Sequence, residues 1–253
     1  MEAPAVYVYG VTGASEMGAL SMTGVKGATV QAVEHGGLVA LTSELEGNAI
    51  TASKEVRAHW KVLDAACENA TVLPTRFGTV MENEQAVREH LLAAHAERLK
   101  ELLRRTAGHV QLNVQGDYDE GELMREVVRG SPLIAGMRER LRSLPEEAGY
   151  YERIRLGELV AAEIYRRREA DAQQAVDTLG PCASDVREEE ISRPDAAFKL
   201  AFLVRRDGQD AFTAAVNELQ AALGDRVNLR YVGPLPPYSF ADANLGREDG
   251  AWV

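Results

Sequence analysis

Hydrophobic and polar positions along the chain change period several times, and the order of those changes occurs twice. AVYVYGV (5–11) has the β-branched and aromatic bias of a strand and stops at the Gly10 to Gly13 region. Two further apolar runs, ATVQAVEH (28–35) and LVALTSEL (38–45), are separated only by Gly36 and Gly37. A two-glycine loop supplies the positive φ values of a tight hairpin, so the two runs are expected to pair antiparallel. A helix is predicted from Thr51 to Asn69, with Val56, Trp60, Leu63 and Cys67 on its inner face. TVLPTRFGTV (71–80) then returns as a strand interrupted by a proline and a glycine. A long helix follows from about Glu82 to Arg105, its stripe marked by Val87, Leu91, His95, Leu99 and Leu102.

The second half repeats this order with an insertion. HVQLNVQG (109–116) is a strand by strict alternation of Val110, Leu112 and Val114 with polar residues. Leu123, Val127, Ile134, Met137, Leu141 and Leu144 keep helical spacing across Gly130-Ser131-Pro132. A break is expected there, with Ser131 capping a new helix and Pro132 at its first position. Tyr150 to about Leu179 is a second long helix, stopped by Gly180-Pro181. Strands at 184–191 and 196–205 flank Pro194. A helix carrying Phe212, Val216, Leu219 and Leu223 follows, capped by Asp207 or Asp210, and Val227 to Val232 is the last strand.

The order predicts an α+β fold of two ferredoxin-like (βαββαβ-type) modules joined by a helix. In the first module the initial helix is reduced to a turn around Ser15 to Leu20. In the second it is replaced by a long helical hairpin. The expected domains are 1–106, including the linking helix 82–106, and 107–245, including the hairpin 119–179, with a flexible tail at 246–253.

Composition narrows the function classes. With 45% hydrophobic and 26% charged residues, the 253-residue chain can bury a substantial core. A net charge of −11 argues against broad electrostatic binding to nucleic acid or an anionic membrane. The one dense basic run, Arg166 to Arg168, leads straight into Glu169 and Asp171 and reads as a solvated helix face. Cys67 and Cys182 lack the spacing of a zinc site or disulfide framework and read as buried thiols. The opening MEAPAVYVYG has neither the basic start nor the apolar run of a signal peptide, and no stretch is long enough to span a membrane; a cytoplasmic protein is expected.

Candidate chemistry is sparse. GVTGASEMG (10–18) is the one stretch that suggests a nucleotide- or nicotinamide-binding enzyme, because a glycine-rich turn after a first strand can cradle phosphates. Met17 stands where the dehydrogenase pattern needs glycine, and no Tyr-x-x-x-Lys pair exists for proton transfer. His90 and His95 point away from a shared metal face, while His95 and His59 read as packed structural histidines. Glu188, Glu189 and Glu190 alternate along a predicted strand and do not converge. GDYDEGE (116–122) lacks the calcium-loop spacing. Arg76 sits in an apolar strand and is expected to need an acidic or carbonyl partner. No catalytic residue, metal ligand or cofactor is assigned.

Taken together, YVYGV (7–11), LVALTSEL (38–45), VLPTRFGTV (72–80), AFLVRRDGQDAFTAAVNEL (201–219) and GPLPPYSF (233–240) resemble the gas vesicle protein L/F family (GvpL/GvpF). The resemblance runs from about Tyr7 to Leu245, and its most specific residues are Leu73, Pro74, Arg76, Phe77, Gly78, Gly233, Pro234, Pro236, Pro237, Tyr238 and Phe240. HVQLNVQG lacks the Trp-Gly-Val-Lys-like pattern that the family commonly carries in the corresponding strand, and Leu235 replaces a frequent tryptophan. The family implies a non-enzymatic accessory protein that binds the small hydrophobic shell protein and other accessory proteins during gas vesicle formation. The segment 233–240 itself predicts a strand end, because Pro234, Pro236 and Pro237 withhold N–H donors; Tyr238 and Phe240 are then apolar anchors, read as a closing clasp ahead of a partner-binding motif.

Overall fold

The structure, a computed structural model, describes residues 4–16, 22–45, 53–145, 149–191, 193 and 195–241. Two compact units divide the chain: Met1–Gln111 with Gly233–Val253, and Leu112–Val232. The boundary differs from the expected one at its far end. The segment after Gly233, expected with the second domain, belongs to the first unit, where Gln111, His59 and Trp60 hold it. Residues 17–21, which include most of the expected turn after the first strand, and the expected tail 246–253 lie outside the described residues.

Unit 1 is built on β1 (Ala5–Gly13), which occupies the middle of a sheet ordered β2-β3-β1-β4. β1 pairs with β3 (Leu38–Leu45), β4 (Val72–Pro74) and, also along its length, β5 (Val80–Met81), while β2 (Gln31–His35) pairs with β3. Every pairing is antiparallel. The β2–β3 hairpin turns on Gly36 and Gly37 at φ 59° and 82°, as the paired glycines predict. A bulge in β1 leaves Tyr9 without a counterpart on β3, between the pairs Val8–Thr42 and Gly10–Leu41. The extra residue resets the alternation. Val6, Val8 and Val11 face one core, while Tyr7 and Tyr9 face another.

Helices cover both faces of this sheet, which is why β1 is apolar without interruption. On the tyrosine face lies α1 (Ser53–Asn69), with His59, Val62, Leu63 and Ala66 buried. Only Leu63 of the predicted inner face is fully buried; Val56, Trp60 and Cys67 are partly exposed. The helix is turned by about one residue, 100°, because His59 finds hydroxyl partners inside and so takes a position that a periodicity reading reserves for an apolar side chain.

The valine face is covered by the expected long helix, in broken form. α2 (Glu84–Ala86) is capped by Asn83, which accepts from the Ala86 N–H at 2.9 Å. A π-helical turn, Val87–Ala93, follows, and then α3 (Ala96–Thr106). The wider turn absorbs extra residues and shifts the stripe. Val87, Leu91, Leu92, Leu99, Leu102 and Leu103 are buried, while His95, expected on the stripe, sits partly exposed at the break. The expected linking helix is thus an integral part of unit 1, where its leucines complete the valine-face core.

Unit 2 carries a sheet of the same internal order, β7-β8-β6-β9, from β6 (His109–Tyr118), β7 (Asp185–Glu188), β8 (Ala196–Arg205) and β9 (Val227–Leu235). β9 continues past the expected Val232 to Leu235, which an edge strand permits even with Pro234 in it. Between β6 and β7 the insertion forms three helices, α4 (Glu120–Gly130), α5 (Pro132–Arg142) and α6 (Tyr150–Leu179). Ser131 caps α5 with Pro132 in its first turn, accepting from the Ile134 N–H at 3.4 Å. Ser131→Ala is expected to cost about 1 kcal/mol or slightly less, read as a lower urea midpoint with unchanged slope. α7 (Gln209–Leu223) buries Phe212, Val216, Leu219 and Leu223 as predicted. Neither aspartate caps it: Gly208 takes that position, and Asp207 pairs with Arg205 at 2.7 Å. Among the described residues no helix is long and apolar enough to cross a membrane.

Candidate functional site

Three of the sequence motifs converge on one buried histidine in unit 1. His59, fully buried on α1, sits between two phenols: its Nδ1 is 2.8 Å from the Tyr7 hydroxyl and its Nε2 is 2.9 Å from that of Tyr238. The Gly78 N–H can only donate, so the Tyr7 oxygen accepts from it at 3.1 Å. The Tyr7 proton then goes to Nδ1, since a protonated Nδ1 would leave that hydroxyl no acceptor. His59 therefore carries its proton on Nε2 and donates to Tyr238. The Tyr9 ring stacks on the imidazole at 5.7 Å, and Phe77 meets it edge-on at 5.7 Å. The Tyr9 hydroxyl is held by Ser43 at 2.9 Å and by the Val25 N–H at 2.7 Å. Gly24 permits that approach, for a Cβ there would lie 1.9 Å from the hydroxyl oxygen.

Burial sets the electrostatics of this cluster. It raises Tyr7, Tyr9 and Tyr238 above the usual phenol range and lowers His59 to about 4. At neutral pH every member is uncharged. Both imidazole nitrogens are engaged by phenols, so the cluster fastens α1, β1 and the closing segment together and offers no activated nucleophile.

The family-motif residues divide around this cluster. Leu73 and Pro74 are buried in β4, where Pro74 pairs with Gly10. Phe77 and Gly78 lie in the turn to β5, against His59 and Tyr7. Pro236, Pro237 and Phe240 are buried, Tyr238 packs on Trp60 at 4.8 Å, and Ser239 exchanges hydrogen bonds with Gln111 at 2.8 and 3.0 Å. Gly233 and Pro234, joined by a cis peptide, are exposed. Arg76 is exposed as well, which corrects the expectation of a charge inside a strand: β4 ends at Pro74 and Arg76 opens a turn, its carbonyl accepting from the Thr79 hydroxyl at 2.7 Å. Tyr7 and Tyr9 are legible in the sequence only as strand residues, although two tyrosines in a continuously apolar strand require hydroxyl partners.

Other candidates resolve into structure. Gly10 to Gly13 belong to β1, paired with β3 and β4, so this part of GVTGASEMG is not a phosphate-cradling turn. Met17 and Gly18 lie outside the described residues. Asp117 pairs with Arg230 at 2.7 Å, Asp119 caps α4 by accepting from the Glu122 N–H at 2.8 Å, and Glu189 pairs with Lys199 at 2.9 Å. Cys67 and Cys182 are thiols, partly exposed rather than buried.

Unit 2 presents the more open surface. Between α5 and α6 runs a groove of about 380 Å³ with Leu141, Leu156, Gly157 and Val160 along it and Arg138, Arg142 and Arg153 around it. α6 reaches its own unit's interior only near its C-terminal end, where Asp171, Ala175 and Leu179 are buried. Asp171 accepts from the Tyr118 hydroxyl at 2.7 Å and from Arg226. Arg226 also reaches Glu126 at 3.2 Å, and Glu126 pairs with Arg167 at 3.0 Å. The first two thirds of α6 projects from this anchor, with Tyr150, Tyr151, Ile154 and Tyr165 exposed.

Comparisons with known proteins agree with this arrangement over nearly the whole chain. The family profile described as "Gas vesicle synthesis protein GvpL/GvpF" matches residues 5–242. Gas vesicle protein F of Streptomyces sp. (strain CB03234) is 34% identical over 240 residues, covering 93% of this chain and 99% of that protein. Gas vesicle protein L1 of Halobacterium salinarum is 26% identical, covering 93% and 89%. The crystal structure of GvpF from Anabaena sp. PCC7120 superposes with a TM-score of 0.83 at 25% identity, covering 95% of this chain and 99% of that one. That of GvpF from Microcystis aeruginosa gives 0.79, also at 25% identity, covering 94% and 99%. The chain belongs to the gas vesicle protein GvpL/GvpF family.

Proposed function

We propose that this protein acts in gas vesicle formation by binding, without catalysis: it holds the small hydrophobic shell protein, and engages other accessory proteins, while the vesicle assembles. The observation that supports this reading is the α5–α6 groove. Leu141, Leu156 and Val160 give it an apolar floor, and Arg138, Arg142 and Arg153 surround that floor with charge. An apolar subunit held reversibly needs such a surface, apolar in the middle and hydrated at the rim. The family assignment favours the setting, and the reading places the protein in the cytoplasm and at the gas vesicle. The shared strand order of the two sheets favours reading each as a variant of the ferredoxin-like arrangement.

Co-purification of the tagged full-length chain with the shell protein tests the proposal. Deleting 119–179 would be a poor probe, because it removes Asp171, Ala175 and Leu179 from the interior of unit 2. Leu156→Glu and Val160→Glu are better, since both side chains are only partly buried. Each is expected to lower shell-protein retention about tenfold, a loss of about 1.4 kcal/mol, while the thermal midpoint stays within a few degrees. Undiminished retention by both variants would exclude the groove.

A further inference from the structure

The outward face of α6 has a pattern independent of the groove. At 100° per residue, Tyr151, Ile154, Ala161, Ala162 and Tyr165 fall within a sector about 100° wide. Leu156, Val160 and Asp171 point to the opposite side. Tyr151 is 82% exposed, Tyr165 64% and Ile154 45%, and both alanines are exposed. Tyr150, Tyr151, Ile154 and Tyr165 are four of the six most exposed large apolar side chains among the described residues, so the exposure is concentrated on one helix. A single exposed leucine needs no explanation, whereas an aromatic stripe on one helix marks a contact surface.

Charges along the stripe indicate what covers it. Four exposed charges accompany it: Glu158 and Glu169 lie within the sector, and Arg155 and Arg166 lie just beyond Ala162. Arg155 stands seven residues before Ala162 and Glu169 seven after; Glu158 stands four before and Arg166 four after. Inverting the helix about Ala162 therefore brings each charge opposite its counter-charge. A second α6 laid antiparallel would place Arg155 against the partner's Glu169 and Glu158 against the partner's Arg166, each twice by symmetry. A parallel copy in register would set like against like. Ala161 and Ala162 at the crossing have small side chains that let the backbones approach, and the tyrosines pack to either side. Arg166 is already held at this surface by Glu163 at 2.7 Å, so its guanidinium is positioned before the partner arrives.

We infer that the protein forms a two-fold symmetric homodimer through antiparallel contact of the outward face of α6, centred on Ala162. The contact leaves the α5–α6 groove open and stands whether or not that groove takes the shell protein.

Sedimentation of the full-length chain between about 1 μM and about 1 mM, the range in which modest interfaces associate, tests this directly. The expected result is a concentration-dependent doubling of the 27.6 kDa mass. Glu158→Arg alone and Arg166→Glu alone each create two like-charge contacts across the axis and should weaken association at least about tenfold. In an equimolar mixture of the two variants, a copy that is basic at both positions, 158 and 166, meets a copy that is acidic at both. Each cross-axis contact then again joins opposite charges, and the wild-type association should return. Circular dichroism checks that each variant is folded. A chain that stays monomeric throughout, a dimer indifferent to both variants, or a mixture no better than its components would overturn the inference, as would finding the stripe occupied by another protein in place of a second copy.

Discussion

Replacing Asp171 by alanine is expected to remove about 3 kcal/mol of stability, because it strands partners that cannot be resolvated. Asp171 is 4% exposed and is the acceptor for both the Tyr118 hydroxyl and Arg226. Burial and then the bond to Asp171 hold the Tyr118 proton firmly in place, so the phenol remains a donor at any working pH. With alanine, Tyr118 keeps its donor in the interior without that acceptor, and the mostly buried Arg226 is left, among the described residues, with Glu126. Asp171→Asn preserves the shape and the Tyr118 bond and should cost about half as much. Urea unfolding of both variants, alone and with Arg226→Met, would apportion the network. A loss below about 1 kcal/mol for the alanine variant would mean that water already reaches the pair. Hydrogen exchange should also rise along α6, whose buried attachments are Asp171, Ala175 and Leu179.

Acid is expected to loosen unit 1 through His59. An unfolded-state histidine takes up its proton near pH 6.5, whereas burial lowers the folded-state value to about 4. Below pH 6.5 the unfolded chain gains a proton that the folded chain refuses. Stability contributed by the neutral imidazole is thus complete above about pH 6.5, falls as pH drops, and levels off below about pH 4. The full span is worth about 3 kcal/mol. Its structural form follows from the tautomer: a proton on Nδ1 meets the Tyr7 hydroxyl, which is already committed as a donor, and leaves a charge among Tyr9, Phe77 and Tyr238. Carboxylates titrate in the same acid range, so the readout is a difference. His59→Gln should be less stable than wild type at pH 7.5 and should show a shallower slope between pH 6.5 and 4.5. Parallel slopes would show that the imidazole is not the sensor.

Legibility in the sequence follows periodicity. α6 and the Ser131–Pro132 start of α5 can be read to the residue because capping and apolar spacing act locally. The fully buried β1 is recognisable from composition, but its bulge at Tyr9 is not, since nothing local distinguishes an unpaired residue from its neighbours. The π-turn at Val87–Ala93 is hidden for a related reason: Val87 and Leu91 keep ordinary spacing, and the shift shows only when Leu92 and Leu99 must meet the same sheet. Arg76 escapes a local reading because β4 stops after three residues, an outcome set by pairing with β1 and not by the apolar run itself. His59 reads as a structural residue, yet its partners come from 52 and 179 positions away, beyond any local pattern. The groove and the outward stripe of α6 require knowing which of its faces the rest of unit 2 covers.

The return of the closing segment to unit 1 has a consequence for synthesis. Unit 2 interrupts unit 1 in the chain, and the Tyr238 that completes the His59 lock is made after all of unit 2. A ribosome that has finished α3 has released nearly every residue of the first sheet, but His59 Nε2 still lacks its acceptor and the valine-face core still lacks Ala241. Unit 2 has the opposite timing, being contiguous from Leu112 to Val232 and able to close as soon as β9 emerges. The inserted unit, with its projecting α6, is therefore in position to fold before the unit that encloses it in sequence is sealed.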